Sequence, residues 1–226
     1  MYRKIPTLED GKWSYTDFPD RKSWIDFLRS QFKEVGKYKL TNTKLWNELG
    51  TKFIREGKYN DLPKNSKGYH EFWLKEGVKC ERGVIYKSTT KHGVQLSHYV
   101  TGYYYFYLNF FPITVKHEEN KQMMPNLWDL DFHTFLYIER GVAEGKYVAC
   151  NKRRQTGWSY KMAAIVMCDM WFKLKQTIKV FSKGSKYVSD FFNYCATERN
   201  HLITHTGWNR QFWRNAGKEL QWHMIW

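Results

Sequence analysis

"KYVACNKRRQTGWSYKMAAIVMCDMWFKL" occupies residues 146–174. The short apolar run 146–150 reads as a strand, 151–159 as a basic loop, and the residues from Tyr160 as a helix. A strand, a glycine-bearing loop and a helix in that order form the setting of a phosphate-binding loop, G-x-x-x-x-G-K-[ST]. Laid over this stretch, the pattern puts Lys152 at the first glycine, Gly157 at the second, Trp158 at the lysine and Ser159 at the serine. Gly157 permits the tight turn that aims successive amides at phosphate oxygens. The uncapped start of the next helix adds positive potential there. The Ser159 hydroxyl suits a coordination position on Mg²⁺. The lysine missing at 158 has a substitute in Lys152, whose flexible stem can fold back over the loop toward the β- and γ-phosphates. Arg154 and Gln155 then flank the γ-phosphate, with Arg154 as the charge stabiliser and catalytic group, while Arg153, Thr156 and Trp158 complete the nucleotide-binding loop. The competing reading is a solvated basic turn with Trp158 simply packing. Lys161 reads either as a second phosphate lysine or as an exposed helix-face residue.

Beyond the loop, "TIKVFS" (177–182) reads as a second strand and "SKYVSDFFNYCATERNHLI" (185–203) as a second helix. Before it, "PNLWDLDFHTFLYIERGVAEG" reads as a helix carrying Phe132, Phe135, Leu136 and Ile138 that closes at a glycine. The alternation predicts an α/β fold, a parallel sheet with helices on both faces as in P-loop NTPases, over residues 116–226. Residues 1–115 read as an accessory region. Its first part is helical, with stripes Trp24–Phe27–Leu28–Phe32 (Asp20 as N-cap) and Leu45–Trp46–Leu49–Phe53–Ile54, and a third helix over "SKGYHEFWLKEGVKC" (66–80). Its second part, "GVIYKS" and "GVQLSHYVTGYYYFYLNFFPITV", is aromatic and β-branched and reads as extended segments. The tyrosine run is either core or a base-stacking platform.

The 226 residues carry 37 Lys+Arg against 22 Asp+Glu, a net charge of +15, and 19% are aromatic. That charge draws polyanions, so nucleic acid, phosphate ligands or an anionic surface are the partners to consider. Cys80, Cys150, Cys168 and Cys195 are widely spaced and read as reduced, mostly buried thiols. The N-terminus has no apolar leader, and no stretch reaches the roughly 20 apolar residues of a membrane span, so a soluble, non-membrane protein is expected.

"KRRQTGWS" resembles the variant phosphate loop of large terminase subunits, the ATP-driven DNA-packaging motors of tailed phages. An Arg-Gln-x-Gly-x-Ser/Thr core is common there, and some members carry the lysine at the start of the loop. "FWLKEGVKCERGVIY", "VTGYYYFYLNFFPI", "LWDLDFHTFLYIERG" and "IKVFSKGSKYVSDFF" are similar to neighbouring segments of one group of these proteins, so the likeness runs over about residues 67–195. It implies ATP and Mg²⁺ as cofactors, with Lys152 on phosphate, Arg154 on the γ-phosphate and Ser159 on the metal. It also implies double-stranded DNA, the portal protein and the small terminase subunit as partners, a homo-oligomeric ring, and the host cytoplasm during phage assembly.

Hydrolysis needs carboxylates to hold Mg²⁺ and orient water. The acids after Ser159 are Asp169, Asp190, Glu198 and Glu219, unpaired and none ending an apolar strand. The expectation is an N-terminal part of a longer motor that binds nucleotide and hydrolyses it slowly at most. Two alternatives stand beside it: another P-loop, helicase-like NTPase, and a non-enzymatic basic nucleic-acid-binding protein. His201 and His205, spaced i, i+4 near Cys195, lack a fourth zinc ligand and read as solvent-facing. "HEEN" (117–120) with Asp129 and Asp131 reads as helix-start capping rather than a metal cluster.

Overall fold

The computed structural model describes residues 1–35, 47–89, 95–115, 121–150, 157–173, 178, 180 and 184–208. Its first element is a hairpin absent from the sequence reading. Strands β1 (Arg3–Glu9) and β2 (Lys12–Phe18) pair antiparallel around Asp10-Gly11, whose φ angles of 46° and 80° suit that dipeptide. Helix α1 (Arg21–Val35) follows as expected. Asp20 Oδ1 accepts from Ser23 N at 2.7 Å, and Trp24 and Leu28 are fully buried. Trp24 lies edge-on to Phe18 and Tyr99, at 4.9 and 5.2 Å between ring centroids.

Helix α2 (Glu48–Glu56) turns Leu49, Gly50 and Phe53 inward; Leu45 and Trp46 lie outside the described residues. Ile54, assigned to the same stripe, is half-exposed because it stands one step past the edge of that face. Helix α3 (Lys67–Arg82) is capped by Ser66 Oγ, which accepts from Tyr69 N at 3.2 Å. Strands β3 (Val84–Thr89) and β4 (Gln95–Val100) complete a mixed sheet in the order β2-β1-β3-β4. Only β1 and β3 run parallel, with Thr7 opposite Ile85.

The tyrosine run is a helix, α4 (Gly102–Phe110), where extended chain was expected. Thr101 caps it by accepting from Tyr104 N at 3.1 Å, and the helix stops just before Pro112. All nine residues are buried. A helix apolar on every side shows no 3.6-residue period, and it is stable only when surrounded. Burial also removes the rings from any base-stacking role.

Strands β5 (Ile113–Val115) and β6 (Lys121–Met123) form a small antiparallel pair. Helices α5 (Asp129–Glu144), α6 (Trp158–Phe172) and α7 (Ser185–His205) then pack about α4. Tyr104 stacks on Phe135 of α5 at 5.2 Å, and Phe106 meets Phe172 of α6 at 6.1 Å. Tyr59, between α2 and α3, donates from its hydroxyl to Asn109 O at 2.8 Å and meets His201 Nε2 of α7 at 2.7 Å. The core is therefore continuous from sheet to α7.

The architecture is α/β, with a mixed four-stranded sheet built from the first hundred residues. The strand expected at 146–150 is not formed. Lys146, Tyr147, Ala149 and Cys150 are exposed and pair with no strand among the described residues. Of 177–182, only residues 178 and 180 are described, and neither is in a strand. Among the described residues, no helix is long and apolar enough to cross a membrane.

Candidate nucleotide site

Gly145 ends α5 in the left-handed region (φ 68°), and Lys146 N donates back to Gly141 O at 2.8 Å. This reverses the chain. Residues 146–150 then run back along α5, with Val148 seated on Gly141 so closely that a Cβ there would collide with its methyl group. Cys150 is thereby carried toward His133 in the second turn of α5, and the basic loop begins there. Lys152, Arg153, Arg154, Gln155 and Thr156 lie outside the described residues, as does the 117–120 acidic stretch.

The far end of the loop is described. Gly157 is the N-cap of α6 with φ 66° and ψ 18°, and Lys161 N donates to its carbonyl at 3.2 Å, the first bond of the helix. A left-handed N-cap favours glycine, and among the described residues only the Tyr107 hydroxyl, at 4.0 Å, would approach a Cβ there. Because glycine has no side chain to cap them, the amides of Trp158, Ser159 and Tyr160 are left at the mouth of the helix. Gly157 and Ser159 are exposed, and Trp158 is half-buried.

Both ends of the loop meet at one cleft of about 350 Å³, lined by His133, Thr134, Tyr137 and Ile138 of α5, by Val148–Cys150, and by Trp158. That volume falls in the range of small-molecule sites. One wall is aromatic and hydrogen-bonding, and Trp158, the first residue of α6, stands at the other side. Ser159, next along the helix, is exposed, and a hydroxyl at a helix start is a group able to meet an anion or a hard cation.

Lys161 occupies neither of its expected positions. Its ammonium lies 2.5 Å from Asp131 Oδ1, and both side chains are buried, so it is neither a surface lysine nor open to phosphate. Burial raises the Asp131 pKa, with the hydrogen bond and charge of Lys161 pulling the other way. Asp131, read as a helix-start acid, thus ties the first turn of α5 to the second turn of α6. Their separation of 30 residues left no local pattern to announce the pairing. The α5 wall was also unread, because its His133–Tyr137 pair sits on the face away from the apolar stripe.

Other acids and histidines stand elsewhere. Asp169 pairs with Lys173 at 2.6 Å at the far end of α6, about 16 Å along the helix from Trp158 at 1.5 Å per residue. Glu198 is sealed in the core. His201, expected to face solvent, is buried against Tyr59, while His205 is exposed. The histidine pair forms no zinc site, and among the described residues no group of three or more His, Cys, Asp or Glu is arranged for a metal. All four cysteines are free thiols, with Cys80, Cys168 and Cys195 buried and Cys150 exposed beside the cleft. No protein family, curated protein or solved structure matches this chain.

Proposed function

We propose that residues 146–172 form the phosphate loop of a P-loop-type NTPase, and that the chain is the ATP-binding part of a terminase-like DNA-packaging motor. The observation that carries the reading is the meeting of both ends of a basic loop at one cleft. Trp158, which follows the left-handed N-cap Gly157 at the start of α6, lies on one side of it, and a His/Tyr wall on the other. Lys152, Arg153, Gln155 and Thr156 supply the remaining loop contacts in this reading, and Arg154 neutralises charge developing on the γ-phosphate. Mg²⁺ on Ser159 would offset the charge of the phosphates. The net charge of +15 suits a double-stranded DNA track.

A helicase-like NTPase would use the same loop, and coding sequence beyond Trp226 separates the two. A nuclease domain with clustered carboxylates marks a terminase, and a second nucleotide-binding fold marks a helicase. A basic nucleic-acid-binding protein without nucleotide chemistry predicts no nucleotide effect on stability.

The test is thermal unfolding of the 226-residue chain with MgATP or a non-hydrolysable analogue. Ligand linkage predicts a rise in melting temperature, about 2.7 kcal/mol of added stability at one hundred times Kd. Lys152→Ala should abolish it, and turnover should be slow, since Asp169 and Glu198 are engaged or buried away from Ser159. An unchanged melting temperature at millimolar MgATP would refute the site.

A further inference from the structure

The cleft has two walls on separate helices, and a buried ion pair joins those helices. Asp131 lies two residues before His133 on the α5 wall. Lys161 lies two residues after Ser159 and four after Gly157 on α6, and Nζ and Oδ1 are 2.5 Å apart. Side-chain exposures of 5% and 8% leave neither group to solvent. Such a pair is a poor choice for stability alone, because desolvating two charges cancels most of their attraction, and apolar replacements of similar volume are often neutral or better. Its geometric effect is definite: a short charged bond fixes the rotation and height of α6 relative to α5, which sliding apolar contacts would not.

Two neighbouring features agree. Among the described residues, Tyr107 of α4 is the group near the missing Cβ of Gly157, and the Asp131 carboxylate acts on the same phenol, so Tyr107 lies between the ion pair and the loop's end. The opposite end of α6 has a fastening of its own, where Lys173 meets Asp169 and the Tyr103 hydroxyl. Helix α6 is thus pinned by a lysine at each end, and the pin nearer the loop is the buried one.

We propose that Lys161 and Asp131 are positioning residues for the nucleotide: they hold the α6 amides and Ser159 at the spacing from the α5 wall that a bound nucleoside phosphate requires. This rests on the nucleotide reading of the cleft. The ion pair touches no ligand and acts through the two helices it joins.

The experiment compares four forms of the 226-residue chain by MgATP titration and by melting temperature without nucleotide. Single substitution of either partner leaves a buried unpaired charge and tests only folding, so the informative variants are paired. D131L/K161M should fold with a melting temperature within a few degrees of wild type and bind MgATP about tenfold more weakly, as expected when binding groups lose their fixed spacing. D131K/K161D, which restores the pair in reverse, should recover most of the affinity. Lys67→Ala, an exposed position on α3 outside the cleft with the pair intact, is the control and should leave both the melting temperature and the MgATP affinity unchanged. Wild-type affinity in D131L/K161M would overturn the inference while leaving the nucleotide site standing. A loss that the reversed pair fails to recover would also overturn it, since side-chain shape and not the charged bond would then be responsible. A wild-type chain that binds no MgATP would remove both.

Discussion

Glu198 is the residue whose setting is most costly. It is fully buried on α7, and neither carboxyl oxygen has a hydrogen-bond partner among the described residues. Desolvation raises its pKa well above the carboxylate range, which favours the neutral form on folding. One turn on, His201 has the opposite bias: burial, with a smaller push from His205, lowers its pKa to about 3. The Tyr59 hydroxyl spends its proton on Asn109 O, so Nε2 of His201 is the donor in their contact. The signs follow from proton counts. An unfolded glutamate ionises near pH 4.3, so above that Glu198 removes about 1.4 kcal/mol of stability per pH unit until its folded pKa is passed. An unfolded histidine protonates near pH 6.5, so His201 removes a similar amount per unit as pH falls from there toward 3. Between about pH 4.3 and 6.5 the two slopes cancel. Glu198→Met removes one of them together with the orphaned oxygens. It should raise the melting temperature at pH 8 by several degrees, and by much less at pH 4.5. Unfolding scans of variant and wild type at both values check this. A variant less stable than wild type at pH 8 would mean that Glu198 is charged and satisfied.

Helix α4 shows at the scale of an element how tertiary burial overrules local preference. Each phenol on it is directed to a different neighbour. Tyr105 donates to Glu76 Oε2 of α3 at 2.5 Å, while Lys79 donates to the other oxygen, Oε1, at 2.7 Å; Tyr104 donates to Trp128 O before α5 at 3.1 Å; Tyr103 meets Lys173 after α6. Phe106 and Phe110 fill the spaces between and are fully buried. Truncating Phe106 to alanine should cost about 3–5 kcal/mol through the cavity it leaves. Tyr105→Phe should cost about 1–3 kcal/mol, because Glu76 keeps Lys79 but loses its shortest donor. Chemical denaturation of the two variants gives both values, and equal losses would contradict the division into packing and hydrogen bonding. This helix was legible only at its ends, in Thr101 and Pro112, because a segment apolar all round carries no period. The amphipathic helices were readable from their stripes, and from caps such as Asp20, Ser66 and Gly145. The first hairpin was announced by Asp10-Gly11 but its flanks were read only for a leader. At the loop, Gly157 and Ser159 follow from the loop pattern, whereas the meeting of His133 and Tyr137 with residues 148–150 depends on a chain reversal at Gly145 that no local spacing encodes.

For the whole molecule, the question is whether the change of texture near residue 115 separates two folding units. Helix α4 lies before that point, yet its sides are covered from beyond it: Tyr104 and Tyr107 lie on Phe135, at 5.2 and 5.5 Å, and Phe106 and Phe110 lie against Phe172 and Trp208, at 6.1 and 4.8 Å. The sheet is tied across the same point. Arg3 pairs with Glu139 at 2.8 Å, Tyr99 donates to the same carboxylate at 2.9 Å, and Arg21 donates to Ala143 O at 2.6 Å. Residues 1–115 alone would therefore expose an all-apolar helix and a row of unpaired charges. They should lack a cooperative transition, while the full chain should unfold in one step with circular dichroism and tryptophan emission coincident. Two separated transitions in the full chain, or a cooperative 1–115 fragment, would show instead that α4 is sufficiently covered by α2, α3 and the sheet. The contacts argue against that outcome. The three ring partners named, Phe135, Phe172 and Trp208, all come from the second half, and removing them uncovers Tyr104, Phe106, Tyr107 and Phe110 at once.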